Sequence, residues 1–317
     1  MTWHCTKLGW CKFEPLLVTN LSIPTVTTTL IIGFDSAWSG NNSGAIVGVV
    51  RQEDASYKYL GNPLIVDFQQ ATQQINDWQH EHHPATSLIL IDQPTIVPNM
   101  KGQRPVEGIV GTPVGRRYGG VQPANRGKGD LFGDDAPIWQ FLNMHNALLN
   151  PAEFARSQPA TWVIETYPVL TLIALNWLLA DDHPRPRPTR RLPKYNPANR
   201  NFSFDDWQFV CNCASNEFEP RGMQQLIAWI TAAGNNPLPA TSRERKQLQD
   251  RLDACLCLLV ALYLIEGRNC LMVGNMESGY MVIPHGEPLH NELVARCDRT
   301  GRPHHDWVRE LEFQWPS

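Results

Sequence analysis

The sequence predicts an α/β fold in which a mixed five-stranded sheet, with three antiparallel strands followed by parallel strands, carries helices on both faces. Three strand-like segments come first along the chain and are separated by turn-rich stretches of hairpin length. Two further strand-like segments then alternate with segments of helical periodicity. Hairpins followed by alternating strands and helices are typical of a mixed sheet with helices packed against it. The 317 residues, 42% of them hydrophobic, are enough to bury a sizeable core.

The strands are predicted from runs of β-branched and apolar residues that end at turn formers. The first run, TTLIIGFD, is followed by SAWSGNNSG, whose Asn and Gly residues tolerate the positive φ angles of a turn. The run SLILID is continuously apolar, as expected for a strand that is buried on both faces. The predicted strands cover residues 28–35, 44–51, 57–68, 87–92 and 161–168, and a short final strand covers residues 279–284.

The helices are predicted from apolar residues at helical spacing and from the residues at their ends. Pro137 suits the first turn of one helix, and Gly267 lies just beyond the end of the longest one. The segment 169–179 is interpreted as a short apolar helix or a further core segment. The other predicted helices cover residues 69–80, 137–150, 222–234 and 242–267.

A single domain is predicted over residues 28–284, with two irregular insertions at residues 97–135 and 181–222. Both insertions are rich in Pro and Arg, and both are longer than an ordinary loop in a compact domain, which makes them candidate functional segments. Residues 1–27 are interpreted as an N-terminal arm and residues 285–317 as a polar C-terminal tail.

Charge and composition argue against several classes of protein. The net charge of -4 provides no overall attraction to nucleic acid, so such binding would need locally clustered positive charge. No apolar run approaches the roughly 20 residues that span a bilayer, so we expect no membrane partner. The chain starts without a secretory signal pattern, and its eight cysteines are not spaced as a disulfide framework. These features predict a reducing, cytoplasmic location.

Three of the predicted strands deliver an acidic residue at their carboxyl ends. Asp35 closes the first run, Asp92 closes SLILID, and Glu165 follows TWVI. If these strands are parallel neighbours, the three carboxylates lie along one edge of the sheet, where such sheets bind ligands. An acid after a single strand is often only a turn residue. Agreement among three strand ends favours a shared site.

The longest predicted helix carries two more acids, Asp250 and Asp253, which are three residues apart and therefore project from one helix face. Asp253 precedes an all-apolar run, where an ionised carboxylate is costly unless it is paired or metal-bound. The alternative is that both aspartates lie on a solvent-exposed helix face and bind no ligand. Because gathered acids repel one another, the pattern favours a site for Mg²⁺ or Mn²⁺, ions that prefer carboxylate and water oxygens.

The predicted metal ligands are Asp35, Asp92, Glu165, Asp250 and Asp253, and all of them except Asp250, which has a supporting role, are predicted to be catalytic. The predicted reaction is hydrolysis of a phosphodiester by a metal-activated water.

Five stretches, GFDSAWSGNNSGAI, LILIDQPTIVPN, VIETYP, QDRLDACLCLLVA and GYMVIP, resemble the domain-of-unknown-function family numbered 429, over about residues 29–284. The resemblance implies a ribonuclease-H-like fold and a nuclease activity distantly similar to that of Holliday-junction resolvases. It also implies that Asp35, Asp92, Glu165 and Asp253 correspond to the family's acidic positions. Asp250 would fit the Asp-x-x-Asp variant of the related resolvases. The resemblance implies no particular substrate.

Arginines in the two predicted insertions are candidate phosphate contacts, because guanidinium groups bind phosphates bidentately and position a nucleic acid without reading its sequence. The predicted contacts are Arg104, Arg116, Arg117, Arg190 and Arg191. The alternative is that these charges only keep surface loops solvated. Nucleic acid is the predicted partner, and a symmetric branched substrate would favour a homodimer.

Other functions are open alternatives at this stage. A non-catalytic nucleic-acid-binding or scaffold protein with the same fold would bind through the arginines without divalent ions. A metal phosphoesterase acting on a small nucleotide would use the same carboxylates. An actin-like ATP phosphotransferase would need two such domains and an adenosine-binding glycine motif. A P-loop is excluded because the Gly-rich stretch GQRPVEGIVGTPVGRRYGG lacks G-x-x-x-x-G-K-[ST].

Overall fold

The structure is a computed structural model and describes residues 28–154, 160–181, 190–197 and 199–311. The arm predicted over residues 1–27 lies outside the described residues. The strands are β1 (Thr29–Asp35), β2 (Gly44–Arg51), β3 (Tyr57–Tyr59), β4 (Leu64–Val66), β5 (Thr86–Ile91), β6 (Thr161–Glu165), β7 (Leu179–Ala180), β8 (Arg190–Arg191), β9 (Cys270–Asn275), β10 (Gly279–Pro284) and β11 (Val308–Leu311). The helices are α1 (Phe68–His82), α2 (Pro105–Arg116), α3 (Gly129–Phe132), α4 (Pro137–Met144), α5 (Pro168–Ala174), α6 (Phe204–Phe218), α7 (Gln224–Asn235), α8 (Ser242–Ile265), α9 (Glu287–Arg299) and α10 (His304–Trp307).

The main sheet is mixed, as predicted, with the strand order β3-β2-β1-β5-β6 and with β4 also paired to β2. Strand β1 runs antiparallel to β2 and parallel to β5, which is parallel to β6. The sheet has six strands rather than the predicted five. The segment predicted as one strand over residues 57–68 divides into β3 and β4, because Gly61 turns the chain with a φ of 119° and Pro63 has no backbone N–H to donate.

Helices cover both faces of the main sheet, as predicted. Ile31 and Leu88 face an apolar layer that contains α8, whereas Ile32 and Ile89 face the layer that contains α1 and α4. Helix α8 crosses β1, β2 and β5. Because the central strands are buried on both sides, their sequences are continuous apolar runs.

Gly33 allows α8 to approach β1 closely. A Cβ atom at this position would lie 2.0 Å from the carbonyl oxygen of Ala254 and 2.3 Å from the amide nitrogen of Leu258. Only glycine leaves room for backbone this near. The contact fixes the middle of α8 against the middle of β1, so that the preceding turn of α8, with Asp250, lies near the end of β1, where Asp35 stands.

Residues 285–311, which fall in the predicted C-terminal tail, contain the regular elements α9, α10 and β11. The strand predicted over residues 279–284 is β10, but it belongs to a separate three-stranded sheet with the order β10-β9-β11. The Thr166 hydroxyl links the two sheets by donating to the Val282 carbonyl oxygen at 2.7 Å. Helix α9 buries Leu289, Leu293 and Cys297 at a spacing of four residues, which is the helical signal within the predicted tail.

The two predicted insertions are also less irregular than expected. Helix α2 lies in the first and buries four apolar side chains at helical spacing, namely Val106, Ile109, Val110 and Val114. The glycines and the proline between them favour loops and concealed this pattern. Helix α6 lies in the second and begins at Ser203, whose hydroxyl accepts a hydrogen bond from the Asp206 amide at 3.2 Å.

Cysteines in the described part of the chain are free thiols. Cys255 and Cys257 lie in the buried part of α8, where burial raises the pKa of both thiols well above the usual range. They are therefore protonated and pack as small apolar groups. Among the described helices, none combines the length and the apolar character needed to cross a membrane.

Candidate active site

A cleft of about 1260 Å³ opens at the carboxyl ends of the parallel strands. Its walls come from the segments that follow β1, β5 and β6 and from the first half of α8. The acidic residues that line it are Asp35, Asp67, Asp92, Glu107, Glu165, Asp250 and Asp253. All five acids that the sequence singles out therefore line one cavity, at the edge of the sheet where parallel strands present ligands.

Asp35 and Asp92 stand at neighbouring strand ends. Asp35 is the last residue of β1, and Asp92 directly follows β5. The backbone amide of Asp92 donates to the Phe34 carbonyl oxygen at 2.9 Å, which continues the parallel pairing beyond β5. The indole N–H of Trp38 donates to the Asp92 carbonyl oxygen at 2.8 Å. The backbone that carries the two carboxylates is thus held in place.

Helix α8 contributes Asp250 and Asp253. It begins at a capping box, in which the Thr241 hydroxyl accepts from the Glu244 amide and the Glu244 carboxylate accepts from the Thr241 amide, both at 3.2 Å. The two aspartates lie further along the helix, where it enters the core, and their exposed fractions are only 2% and 5%. Spacing on one helix face, as predicted, directs both toward the cleft.

Burial and mutual repulsion raise the pKa values of the carboxylates at the strand ends. Desolvation is the largest cause for the raised pKa of Asp35, and the charges of Asp253 and Asp92 follow. Desolvation also raises the pKa of Asp92, and the charge of Asp253 adds to it. Keeping these groups ionised therefore costs the fold free energy, and a bound cation would remove that cost.

Asp253 is oriented by two neutral donors. The Tyr195 hydroxyl donates to its Oδ1 at 2.9 Å, and the Gln249 amide donates to its Oδ2 at 2.7 Å. Burial raises the pKa of Asp253 to about 6, although Lys246 and the Tyr195 hydrogen bond lower it. A carboxylate has about four lone-pair sites, so each oxygen of Asp253 can still bind another partner.

Lys246 is the cation that contacts the cluster most directly. Its ammonium forms a close ion pair with Oδ1 of Asp250, one turn further along α8. Although desolvation opposes its charge, the carboxylates of Asp35 and Asp250 hold the pKa of Lys246 above its ordinary value. One ammonium offsets about one carboxylate, so the grouping retains surplus negative charge when its other acids are ionised.

Glu165 is placed differently from the other acids. Arg104 holds its carboxylate through two hydrogen bonds, Nη1 to Oε2 at 2.9 Å and Nη2 to Oε1 at 2.6 Å. The Thr95 amide also donates to Oε2, at 3.2 Å. Arg104 in turn donates from Nε to Glu107 Oε1 at 2.8 Å. Glu165 thus belongs to a buried ion network and lacks the surplus charge of the three aspartates at the cleft.

The three aspartates Asp35, Asp92 and Asp253 have the ligand chemistry that a hard divalent cation prefers. They offer carboxylate oxygens without a full counter-charge in a water-accessible cleft. Within residues 28–154, 160–181, 190–197 and 199–311, no three carboxylate oxygens of this cluster lie within 4.8 Å of one another. These carboxylate oxygens are therefore farther apart than the ligands of a single ion. Sites that use two ions spread their ligands over a separation of about 4 Å between the ions.

A family model described as "Protein of unknown function (DUF429)" matches residues 33–277 of the chain. The match covers well over half of the 317 residues. The chain belongs to the DUF429 family. The family resemblance predicted from the sequence is therefore confirmed, and all five predicted acidic residues lie within the matched region, whereas β10, α9 and β11 lie beyond it. No curated protein and no solved structure matches the chain.

Three of the arginines predicted to contact phosphate are engaged inside this DUF429 protein. Arg104 is fully buried in the network with Glu165. The Arg117 guanidinium donates from Nη1 to Glu292 Oε2 at 3.1 Å. The Arg191 guanidinium donates from Nη2 to Asp206 Oδ1 at 3.2 Å. The two other arginines, Arg116 and Arg190, are exposed, and Nη1 of Arg190 donates to Asn176 Oδ1 at 3.0 Å.

Besides Arg104, the cations that line the cleft of the DUF429 protein are Arg243 and Lys246. The sequence interpretation missed them because it concentrated on the Arg-rich segments. Their spacing held the signal, since Arg243, Lys246, Asp250 and Asp253 follow one another at intervals of three or four residues and so share one face of α8. Trp38 and Tyr167 add aromatic surface to the cleft.

Proposed function

We propose that this DUF429 protein is a metal-dependent nuclease that hydrolyses phosphodiester bonds in the acidic cleft. The observation that carries the proposal is the set of aspartates Asp35, Asp92 and Asp253, which line one water-accessible cleft while burial and mutual repulsion raise their pKa values. Carboxylates gathered at such a cost favour a bound cation. The same grouping has no evident role in stabilising the fold, because it opposes folding.

The proposal extends to the topology of the main sheet. Strands β1, β2 and β3 are antiparallel neighbours, β4 also pairs with β2, and β5 and β6 run parallel to β1. This order, with the acids at the ends of β1 and β5 and on α8, supports a ribonuclease-H-like arrangement. In this arrangement Asp35, Asp92 and Asp253 hold Mg²⁺ or Mn²⁺, and Asp250 supports them. Glu165 acts through its ion pair with Arg104, by keeping the cleft wall in place.

Bound divalent ions would lower the pKa of a water to produce the nucleophile and would stabilise the charge on the leaving oxygen. The protein's own groups supply the remaining functions. Tyr195 and Gln249 fix the orientation of Asp253, as partners outside the ligand shell commonly do. Lys246 holds Asp250 and adds positive charge beside the reacting phosphate.

A polymeric substrate is favoured over a small nucleotide. Pockets for small molecules occupy about 300–1,000 Å³, and this cleft measures about 1260 Å³. Arg243 stands on the face of α8 that leads into the cleft, where it can contact a backbone phosphate. Trp38 and Tyr167 offer rings on which bases can stack.

Cleavage assays on labelled single-stranded, duplex and branched DNA and RNA test this function, with Mn²⁺, with Mg²⁺ or with chelator. Asp35→Asn, Asp92→Asn and Asp253→Asn should each lower the rate by at least about 100-fold, because even the loss of a partner outside the ligand shell costs about 10–100-fold. Asp77→Asn, an exposed aspartate on α1, is the matched control and should cleave normally.

Calorimetry with Mn²⁺ separates the nuclease from a non-catalytic binding protein. The nuclease requires a saturable Mn²⁺ site that is lost in Asp35→Ala. Binding of nucleic acid without any dependence on divalent ions, together with the absence of a saturable Mn²⁺ site, would establish the non-catalytic alternative.

A further inference from the structure

Three side chains from separate elements converge on the surface of the C-terminal sheet. His285 directly follows β10, His290 lies in the first turn and a half of α9, and Glu310 lies in β11. One ligand atom from each of the three lies within 4.8 Å of the other two. Within the described part of the chain this is the one such trio of His, Cys, Asp or Glu groups. It stands apart from the acidic cleft, since none of its members lines that cavity.

The backbone beneath each side chain is fixed by hydrogen bonds. The His285 amide donates to the Asn269 carbonyl oxygen at 2.9 Å, and the His290 amide donates to the Gly286 carbonyl oxygen at 2.9 Å. Glu310 pairs with Leu271 across the β9–β11 ladder. The three side chains therefore start from positions that folding has already set, which lowers the entropy cost of binding a shared ligand.

The three side chains lie close enough together to be ligands of one small transition-metal ion. Around tetrahedral zinc, with bonds of about 2.0–2.1 Å, neighbouring ligand atoms stand about 3.3 Å apart. The Nε2 atom of His285 lies 3.6 Å from Oε1 of Glu310. The rings of His285 and His290 have their centroids 5.2 Å apart and are tilted by 54°, so they can turn their nitrogens toward one point.

The ordinary explanation, a surface ion pair, accounts for only part of the grouping. It accounts for His285 with Glu310 and leaves the imidazole of His290, among the described residues, without a hydrogen-bonding or ion-pair partner. A metal ion accounts for all three side chains at once, because both rings can bind as neutral nitrogen donors and the carboxylate offsets part of the ionic charge.

We infer that His285, His290 and Glu310 form a binding site for Zn²⁺. Two imidazoles and one carboxylate are a recurrent zinc ligand set that leaves a fourth position for water, and the partial exposure of all three residues leaves that position open to solvent. The site joins the end of β10 to α9 and β11, so zinc stabilises the part of the chain beyond residue 277, where the DUF429 match ends. It is independent of the proposed nuclease chemistry.

Zinc titration of the full chain, stripped with chelator, tests the site by calorimetry. The parent for this experiment is the Asp35→Asn/Asp253→Asn double variant, in which the acidic cleft no longer competes for metal. One equivalent of Zn²⁺ should bind, and His290→Ala and Glu310→Gln should each lower the affinity by at least about 100-fold. His304→Ala is the matched control, because His304 and His305 are exposed and adjacent, with ring centroids 5.9 Å apart. It should bind as the parent does.

Thermal unfolding separates ligand loss from misfolding. In chelator, Glu310→Gln should have the same Tm as the parent, because the side chain is exposed and the change is isosteric. Added Zn²⁺ should raise the Tm of the parent and of His304→Ala, but not that of Glu310→Gln. The inference is overturned if the double variant binds no zinc, or if Glu310→Gln and His290→Ala bind it with parental affinity. Neither result would bear on cleavage, and a failed cleavage assay would not bear on zinc binding.

Discussion

Arg104 and Glu165 form a buried ion pair in the wall of the acidic cleft, joined by two parallel hydrogen bonds of 2.9 and 2.6 Å. The guanidinium also binds Glu107, so one cation serves two carboxylates. This pair separates the acids of the cleft into two groups. Glu165 has its counter-charge within the protein, whereas Asp35, Asp92 and Asp253 depend on Lys246 and on whatever cation binds there.

Substitution of Arg104 should destabilise the protein strongly. Arg104→Leu leaves two buried carboxylates without a counter-charge and should lower the free energy of unfolding by about 3–5 kcal/mol, as measured by urea denaturation. Glu165→Gln should cost less, because Glu107 still neutralises Arg104. Its cleavage rate should stay within about tenfold of the wild type, whereas Asp35→Asn should lose about 100-fold or more. Equal losses of cleavage rate in Glu165→Gln and Asp35→Asn would show that Glu165 is a metal ligand.

The stability of the metal-free protein should fall as pH rises. The pKa of Asp253 is about 6 in the folded protein, against an ordinary value of 3.8. The folded state binds the Asp253 proton more tightly than the unfolded state does. The stabilisation that this proton provides is therefore complete below pH 3.8 and is lost as pH rises through 6. The shift corresponds to about 3 kcal/mol.

Urea denaturation in chelator at about pH 5 and about pH 8 measures roughly half of this loss, because the stabilisation is already partly lost at pH 5. Asp253→Asn should show a smaller difference between the two pH values, and Mn²⁺ should restore stability to the wild type at the higher pH. If the stability of the wild type depended on pH no more strongly than that of Asp253→Asn, the raised pKa of Asp253 would be contradicted.

Tyr195 should affect the affinity for the metal without contacting the substrate. Tyr195→Phe removes the hydroxyl that donates to Asp253 at 2.9 Å, and this hydrogen bond lowers the pKa of Asp253. The variant should therefore have a higher Asp253 pKa and a Mn²⁺ affinity lower by about 10–100-fold. Calorimetry at two pH values measures both changes. A merely structural role for Tyr195 would lower stability and leave the Mn²⁺ affinity and its pH profile unchanged.

Gly33→Ala tests the close approach of α8 to β1. The new Cβ would meet the backbone of Ala254 and Leu258 at 2.0 and 2.3 Å, and backbone on both sides has little freedom to yield. We expect a loss of about 3 kcal/mol or more, at the upper end of the usual cost of overpacking. Gly111→Ala is the control, because a Cβ there meets nothing within 4 Å and the residue lies in α2. It should be neutral or stabilising by about 0.5–1 kcal/mol. Similar effects at both sites would contradict this packing.

Arg243 should contribute to nucleic-acid binding through phosphate. Arg243→Gln should weaken binding to all sequences alike and reduce the slope of log K against log salt by about 0.7–0.9, the effect of one lost phosphate contact. Arg116→Gln is the comparison, since Arg116 is exposed in a segment predicted to bind phosphate but does not line the cleft. Fluorescence anisotropy with labelled oligonucleotides in Ca²⁺ measures both slopes. The cleft is the wrong interface if Arg116→Gln changes the slope and Arg243→Gln does not.

The sequence by itself determined the class of the fold and five of the seven acidic residues that line the cleft. Apolar runs that end in Asp35 and Asp92 are local patterns, and strands of that kind can be buried only in a sheet covered on both faces. The spacing of Asp250 and Asp253 likewise follows from helical geometry alone. These features need no knowledge of what packs against them.

Only the tertiary structure decided which charged side chains are paired with one another inside the protein. Arg104 and Glu165 are 61 residues apart in the chain, and no local pattern indicates that they meet. The same holds for Arg117 with Glu292 and for the meeting of His290 with Glu310. Pairing between remote groups depends on distances of a few ångströms, because electrostatic and hydrogen-bond energies fall steeply with separation, and such distances are set by the packing of whole elements.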